Sequence, residues 1–156
     1  MAAGKVLAVC LGPGGIPKAS VDVAVVGGLG LEGDKHRSHL HGGANRAMCL
    51  FSLEDYRSLQ ADGVAAEPPG AFGENLLIEG LAFEDLRAGD RVHVGNEVVL
   101  EIHDIRAPCA TLKPLDKRFP ELMVGRSGFV CRVVSGGEVG PGQTAEVVPS
   151  EQLEHR

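Results

Sequence analysis

No Cys-x-x-Cys pair occurs in the 156 residues; the four cysteines, at positions 10, 49, 109 and 131, stand singly. That spacing fits neither a structural zinc site nor a disulfide framework, so reduced thiols are expected. The chain also lacks a surplus of basic charge. A formal net charge of −6 argues against a general nucleic-acid or membrane-surface binder, which needs a basic face to collect phosphates or anionic lipids, although a local basic pocket is still allowed. No apolar run approaches membrane-spanning length. The opening Lys5-Val-Leu-Ala-Val-Cys-Leu-Gly12 is too short and too interrupted for a signal peptide. A cytoplasmic location is the expectation. The glycines at 27, 28 and 30 do not have the spacing of a dinucleotide or phosphate-binding fingerprint, and no helix pattern follows them.

What the chain does have is glycine and proline: 22 and 9 residues, the glycine at about twice its usual frequency. Such a composition favours many short strands joined by tight turns, and hence a mainly β fold. The length suits one domain over 1–150 with a polar tail at 151–156, large enough to fold on its own core. Strands are predicted at Lys5–Leu11, Val21–Val26, Arg46–Phe51, Leu76–Ile78, Arg91–Val94, Glu97–Ile105, Phe129–Val134 and Thr144–Val148. Ser52-Leu-Glu-Asp55 resembles a capping box. With Leu53, Tyr56 and Leu59 at helical spacing it predicts one short helix closing near Gly63.

Four stretches carry chemistry. Asp34 to His41 holds three of the six histidines, one aspartate and two cations. It reads as a solvated loop, as a metal site of Asp34, His39 and His41 with hydrolytic chemistry, or as an anion pocket of Lys35, Arg37 and His41 assisted by glycine N–H groups. Asn75, at the mouth of an apolar strand, offers donors and acceptors to a ligand but could equally cap its own turn. Pro108 ends the strand through Ile105 and presents Cys109 on a loop. A turn there lets Arg106 meet Cys109 and favours its thiolate, the form that attacks and binds metals. Cys109 could also be an ordinary buried cysteine, as Cys10 and Cys49 are expected to be. The turn at Val124–Gly128 could aim Arg126 inward.

In order, the chain presents Gly-Leu-Glu-Gly-Asp-Lys-His from Gly30, His-Gly-Gly-x-x-Arg-Ala from His41, Phe-Gly-Glu-Asn-Leu from Phe72 and Arg-x-Pro-Cys from Arg106. A closing Gly-x-x-x-x-Val-x-x-Gly-Gly-x-Val runs from Gly128. Together these resemble the MOSC domain family, named after the C-terminal domain of molybdenum-cofactor sulfurases, over about Lys5 to Val148. The resemblance implies a distorted β-barrel with a few short helices, of the small stand-alone bacterial type. It implies that Cys109 ligates molybdenum or carries sulfur, and that Asn75, Arg106, His41 and Lys35 lie in motifs around the molybdenum cofactor, molybdopterin. Arg126 is added as a phosphate partner from its charge and turn position.

Two functions share such a site. One is an oxidoreductase that reduces N-hydroxylated compounds and needs an electron-donor protein. The other is a non-catalytic carrier delivering sulfur or cofactor to a partner enzyme. No stretch of the 156 residues corresponds to an aminotransferase-like domain, so pyridoxal phosphate chemistry is not expected. The cofactor is not expected to survive every purification.

Overall fold

A computed structural model describes residues 3–12, 18–34, 47–64, 69–106, 116–119 and 121–150. Lys35, His39, His41 and Cys109 lie outside the described residues. The first strand, β1 (Ala3–Leu11), is the hub. One of its edges pairs with β11 (Thr144–Val148) near Lys5 and with β2 (Ala19–Val21) near Cys10, and it also pairs with β6 (Leu76–Glu79). From β6 the sheet continues through β5 (Met48–Ser52), β9 (Phe129–Ser135), β8 (Val98–Ile105) and β7 (Arg91–Val94) back to β11. Seven strands thus close into a barrel, the mainly β barrel that the sequence predicts. Closure leaves no long exposed edge. All its pairings are antiparallel except β5 with β6, where Leu50 stands opposite Leu76.

The alternation of each strand explains which side is filled. Val92 and Val94, Val98, Leu100 and Ile102, Met48 and Leu50, Leu76 and Ile78 point into one buried interior cluster, as period-2 patterning requires. In β1 the register shifts between Val6 and Ala8. The extra residue lets Val6 and Val9 face the interior while Ala8 and Cys10 face out.

Outside the barrel lies a second apolar cluster. Helix α1 (Leu53–Ala61) begins at Ser52, whose Oγ accepts from the Asp55 N–H at 3.0 Å, so the capping reading holds. It lays Tyr56 and Leu59 against the outward-facing Phe51, Phe72 and Leu77. Phe51 and Phe72 stack with centroids 4.9 Å apart, and Tyr56 meets both edge-on.

The segment predicted as one strand at Val21–Val26 is broken. β2 stops at Val21, and β3 (Ala24–Gly27) belongs to a separate small sheet with β4 (Gly30–Leu31) and β10 (Gly137–Val139). Ala24 and Val26 are buried, whereas Val23 and Val25 are exposed. Among the described residues no helix is long and apolar enough to cross a membrane.

Candidate functional site

Strands β5 and β6 start side by side at one end of the barrel, and Asn75, immediately before β6, ties them together. Its Oδ1 accepts from the Cys49 N–H at 2.9 Å. Its Nδ2 donates to the Cys10 carbonyl at 3.1 Å and to Asp34 Oδ2 at 2.9 Å. One side chain therefore joins β1, β5 and the Gly-Leu-Glu-Gly-Asp loop. Both amide hydrogens are spent within the protein, so the Asn75 side chain has no N–H left to donate to a ligand.

Asp34 is the node of a buried network that the sequence did not announce. Its Oδ1 accepts from the Gly12 N–H at 3.0 Å, and its Oδ2 accepts from Lys18 Nζ at 2.8 Å as well as from Asn75. The Lys18 and Asp34 side chains are 7% and 2% exposed, which makes this a buried ion pair. The neighbouring Glu74 is fully buried. It accepts from the Tyr56 hydroxyl in a short hydrogen bond and from the backbone N–H groups of Gly70 and Phe72. Gly70 has a positive φ of 95°, and a Cβ there would collide with the Lys18 carbonyl, so only glycine closes this turn.

Arg106 follows β8, whose register against β9 shifts between Ile102 and Asp104. Its backbone is clamped, its N–H donating to Gly128 O at 3.0 Å and its carbonyl accepting from Ser127 Oγ at 2.6 Å. Gly128 has φ 81°, and a Cβ would run into the Leu50 carbonyl of β5. The Arg106 guanidinium sits against the Cys49 thiol. Burial raises the Cys49 pKa, and Arg106 is the strongest influence opposing that rise. Arg106 Nη1 is buried with no hydrogen-bond partner among the described residues. A buried guanidinium N–H without an acceptor is costly unless something anionic meets it.

Cys49 is expected to pack in the core, and burial holds its thiol above the ordinary range even with Arg106 nearby. It is half-buried beside a cation, whereas Cys10 and Cys131 are buried. Burial pushes the Cys10 thiol up to about 12 and Cys131 well above the ordinary thiol range. Neither is poised to react.

Arg126 is put to a different use from the one expected. Its Nε donates to Leu122 O at 2.8 Å, its Nη1 to Ser58 Oγ at 2.8 Å, and its Nη2 bridges Asp62 at 2.6 Å. All three nitrogens are committed to α1 and to the short 3-10 turn at Glu121–Met123. Asp62, at the C-terminal end of α1, forms an ion pair with this arginine. Asp34, offered as a metal ligand with His39 and His41, has both oxygens engaged within the network. Among the described residues no group of three or more His, Cys, Asp or Glu could hold a metal ion.

Known proteins bear on this geometry. The family model described as MOSC domain matches residues 37–146. The chain belongs to the MOSC domain family. A Gibberella moniliformis protein named Reductase is 32% identical over 128 residues, covering 76% of this chain and 22% of that protein. Protein YiiM of Escherichia coli K12 is 33% identical over 150 residues, covering 87% of the chain and 66% of YiiM. This MOSC chain therefore spans less than two thirds of either relative. The crystal structure of Escherichia coli YiiM superposes with a TM-score of 0.73 at 27% identity, over 96% of this chain and 74% of that one.

Proposed function

We propose that this MOSC protein binds the molybdenum cofactor beside Arg106 and Cys109 and serves the reduction of N-hydroxylated compounds in the cytoplasm. The observation that carries the reading is the buried Nη1 of Arg106, which has no partner among the described residues and belongs to the residue three positions before Cys109. It fits an anionic group such as the cofactor's phosphate, which a guanidinium can hold with charge-assisted hydrogen bonds. Cys109 supplies the soft thiolate that suits molybdenum, and Lys35 and His41 add donors for the same anion. Asn75 acts by holding Asp34 and the start of β5 in place.

The cofactor, when bound, supplies the two-electron redox chemistry that splits an N–O bond, with two electrons from a donor protein and two protons releasing water. The chain's own contribution is orientation and charge. Ser127 and Gly128 fix the Arg106 backbone, and Lys18 is spent on the buried Asp34 and does not serve the anion. The family membership and the relative named Reductase agree with this reading.

The test is turnover of 6-hydroxylaminopurine with a chemical reductant by cofactor-loaded protein. Turnover abolished by Cys109→Ala is expected. No turnover, together with a persulfide on Cys109 by mass spectrometry, would replace the reductase with a sulfur carrier.

A further inference from the structure

The small sheet of β3, β4 and β10 is apolar on both faces. Inward, Ala24, Val26, Leu31 and Val139 join the interior cluster of the barrel. Outward, Val23 and Val25 are 59% and 42% exposed, and Leu29, in the tight turn between β3 and β4, is 71% exposed. An antiparallel sheet with one face on the core normally turns polar side chains to water. Here the central strand turns out valines, and with Leu29 they make a local apolar patch, unlike the singly scattered apolar residues of an ordinary surface.

The charges around these valines have one sign. Glu138 of β10 stands directly opposite Val25. On the other side the Glu32 N–H donates to the Val25 carbonyl at 2.8 Å and continues the β3–β4 ladder, so Glu32 flanks the same valine. Asp22 immediately precedes Val23. All three acids are exposed, and they form no ion pair among the described residues. Neither 19–34 nor 133–150 contains a lysine or arginine. A second copy laid on this face would set carboxylates against carboxylates, which like-charge repulsion disfavours. Nucleic acid and anionic membrane are repelled for the same reason. The complement of this face is an apolar stripe edged by cations. Glu138 and Glu32 lie two strand spacings apart, about 10 Å, which is roughly the diameter of an α-helix with its side chains.

We infer that the outer face of this sheet docks an amphipathic helix of a partner protein, laid along β3, its apolar stripe on Val23, Val25 and Leu29 and its flanking lysines or arginines on Glu32 and Glu138. β4 leads directly to Asp34, whose N–H donates to the Leu31 carbonyl at 3.1 Å, so the partner is held beside the Asp34–Asn75 bond. Docking here does not depend on the function proposed above.

Isothermal titration with a synthetic peptide of three heptads tests it, with leucine at a and d and lysine at e and g, positions whose like charges also stop the peptide pairing with itself. Saturable one-to-one binding that weakens as salt is raised is expected. Glu32→Gln with Glu138→Gln weakens it by roughly tenfold, and Val23→Thr with Val25→Thr by several-fold, while the urea unfolding curves stay in place. Glu121→Gln with Glu146→Gln removes the same charge elsewhere on the surface and leaves the affinity unchanged. No binding, equal binding of the same peptide with glutamate in place of lysine, or an equal effect of the two carboxylate pairs overturns the assignment. So does a dimer in sedimentation that Val25→Asp dissolves, which would give the face to a second copy.

Discussion

Asn75 and Asp34 are joined side chain to side chain, Nδ2 to Oδ2 at 2.9 Å, across 41 residues of chain. Through this bond the first of the family's motifs is fastened to the third. Replacing Asn75 by Ala removes three hydrogen bonds and strands the Cys49 N–H, so a loss of about 3 kcal/mol in urea unfolding is expected. Retention of full stability would mean that the amide is dispensable to the fold.

Lys18 sits on the other side of Asp34 and neutralises it. Lys18→Met leaves a buried carboxylate uncompensated and should cost roughly 3 kcal/mol. Adding Asp34→Asn removes the orphaned charge and should recover part of that loss. Additive losses in the double variant would contradict the pairing.

Much of this was legible in the sequence, and the reasons for success and failure are physical. Ser52 and the Leu53, Tyr56, Leu59 spacing placed α1 correctly because capping and amphipathic periodicity are local. The interior strands β7 and β8 were legible because Val92, Val94, Val98, Leu100 and Ile102 alternate along each strand. β3 was read as one strand with β2, and β4 and β10 went unread, since strands of two to four residues rich in glycine carry too little pattern. The approach of Lys18 to Asp34 and of Arg106 to Cys49 was missed for another reason. The members of these pairs lie 16 and 57 positions apart, and only the barrel brings them together. Arg126 lies in the turn expected, but the carboxylate that captures it, Asp62, ends a helix 64 positions earlier.

Alkaline pH should weaken the fold through Cys10. Its folded pKa is raised by burial to about 12 from the ordinary thiol value of 9.0, so the native state holds its proton more tightly than the unfolded chain. The contribution is fully present below pH 9 and is lost as pH rises through 9 toward 12. Tyr56, also raised, acts in the same direction. Urea midpoints measured from pH 8 upward should fall, and less steeply in Cys10→Ala. An identical slope in that variant would remove Cys10 as a cause.

Gly128 is the clamp on Arg106. Gly128→Ala combines a positive φ with a collision against Leu50, and a loss of about 3 kcal/mol is expected. Ser127→Ala removes only the hydroxyl bond to the Arg106 carbonyl, so it should leave stability within about 1 kcal/mol while loosening the arginine. Slower cofactor uptake by Ser127→Ala, at unchanged stability, separates positioning from folding.

The most direct measurement is the molybdenum and pterin content of protein isolated from a host that makes the cofactor, for wild type, Arg106→Gln and Cys109→Ala side by side. Near-stoichiometric metal and pterin in the wild type, sharply reduced in Arg106→Gln, is the predicted result. A wild type free of both, purified from cells in which another molybdenum protein is fully loaded, would contradict the assignment of this site.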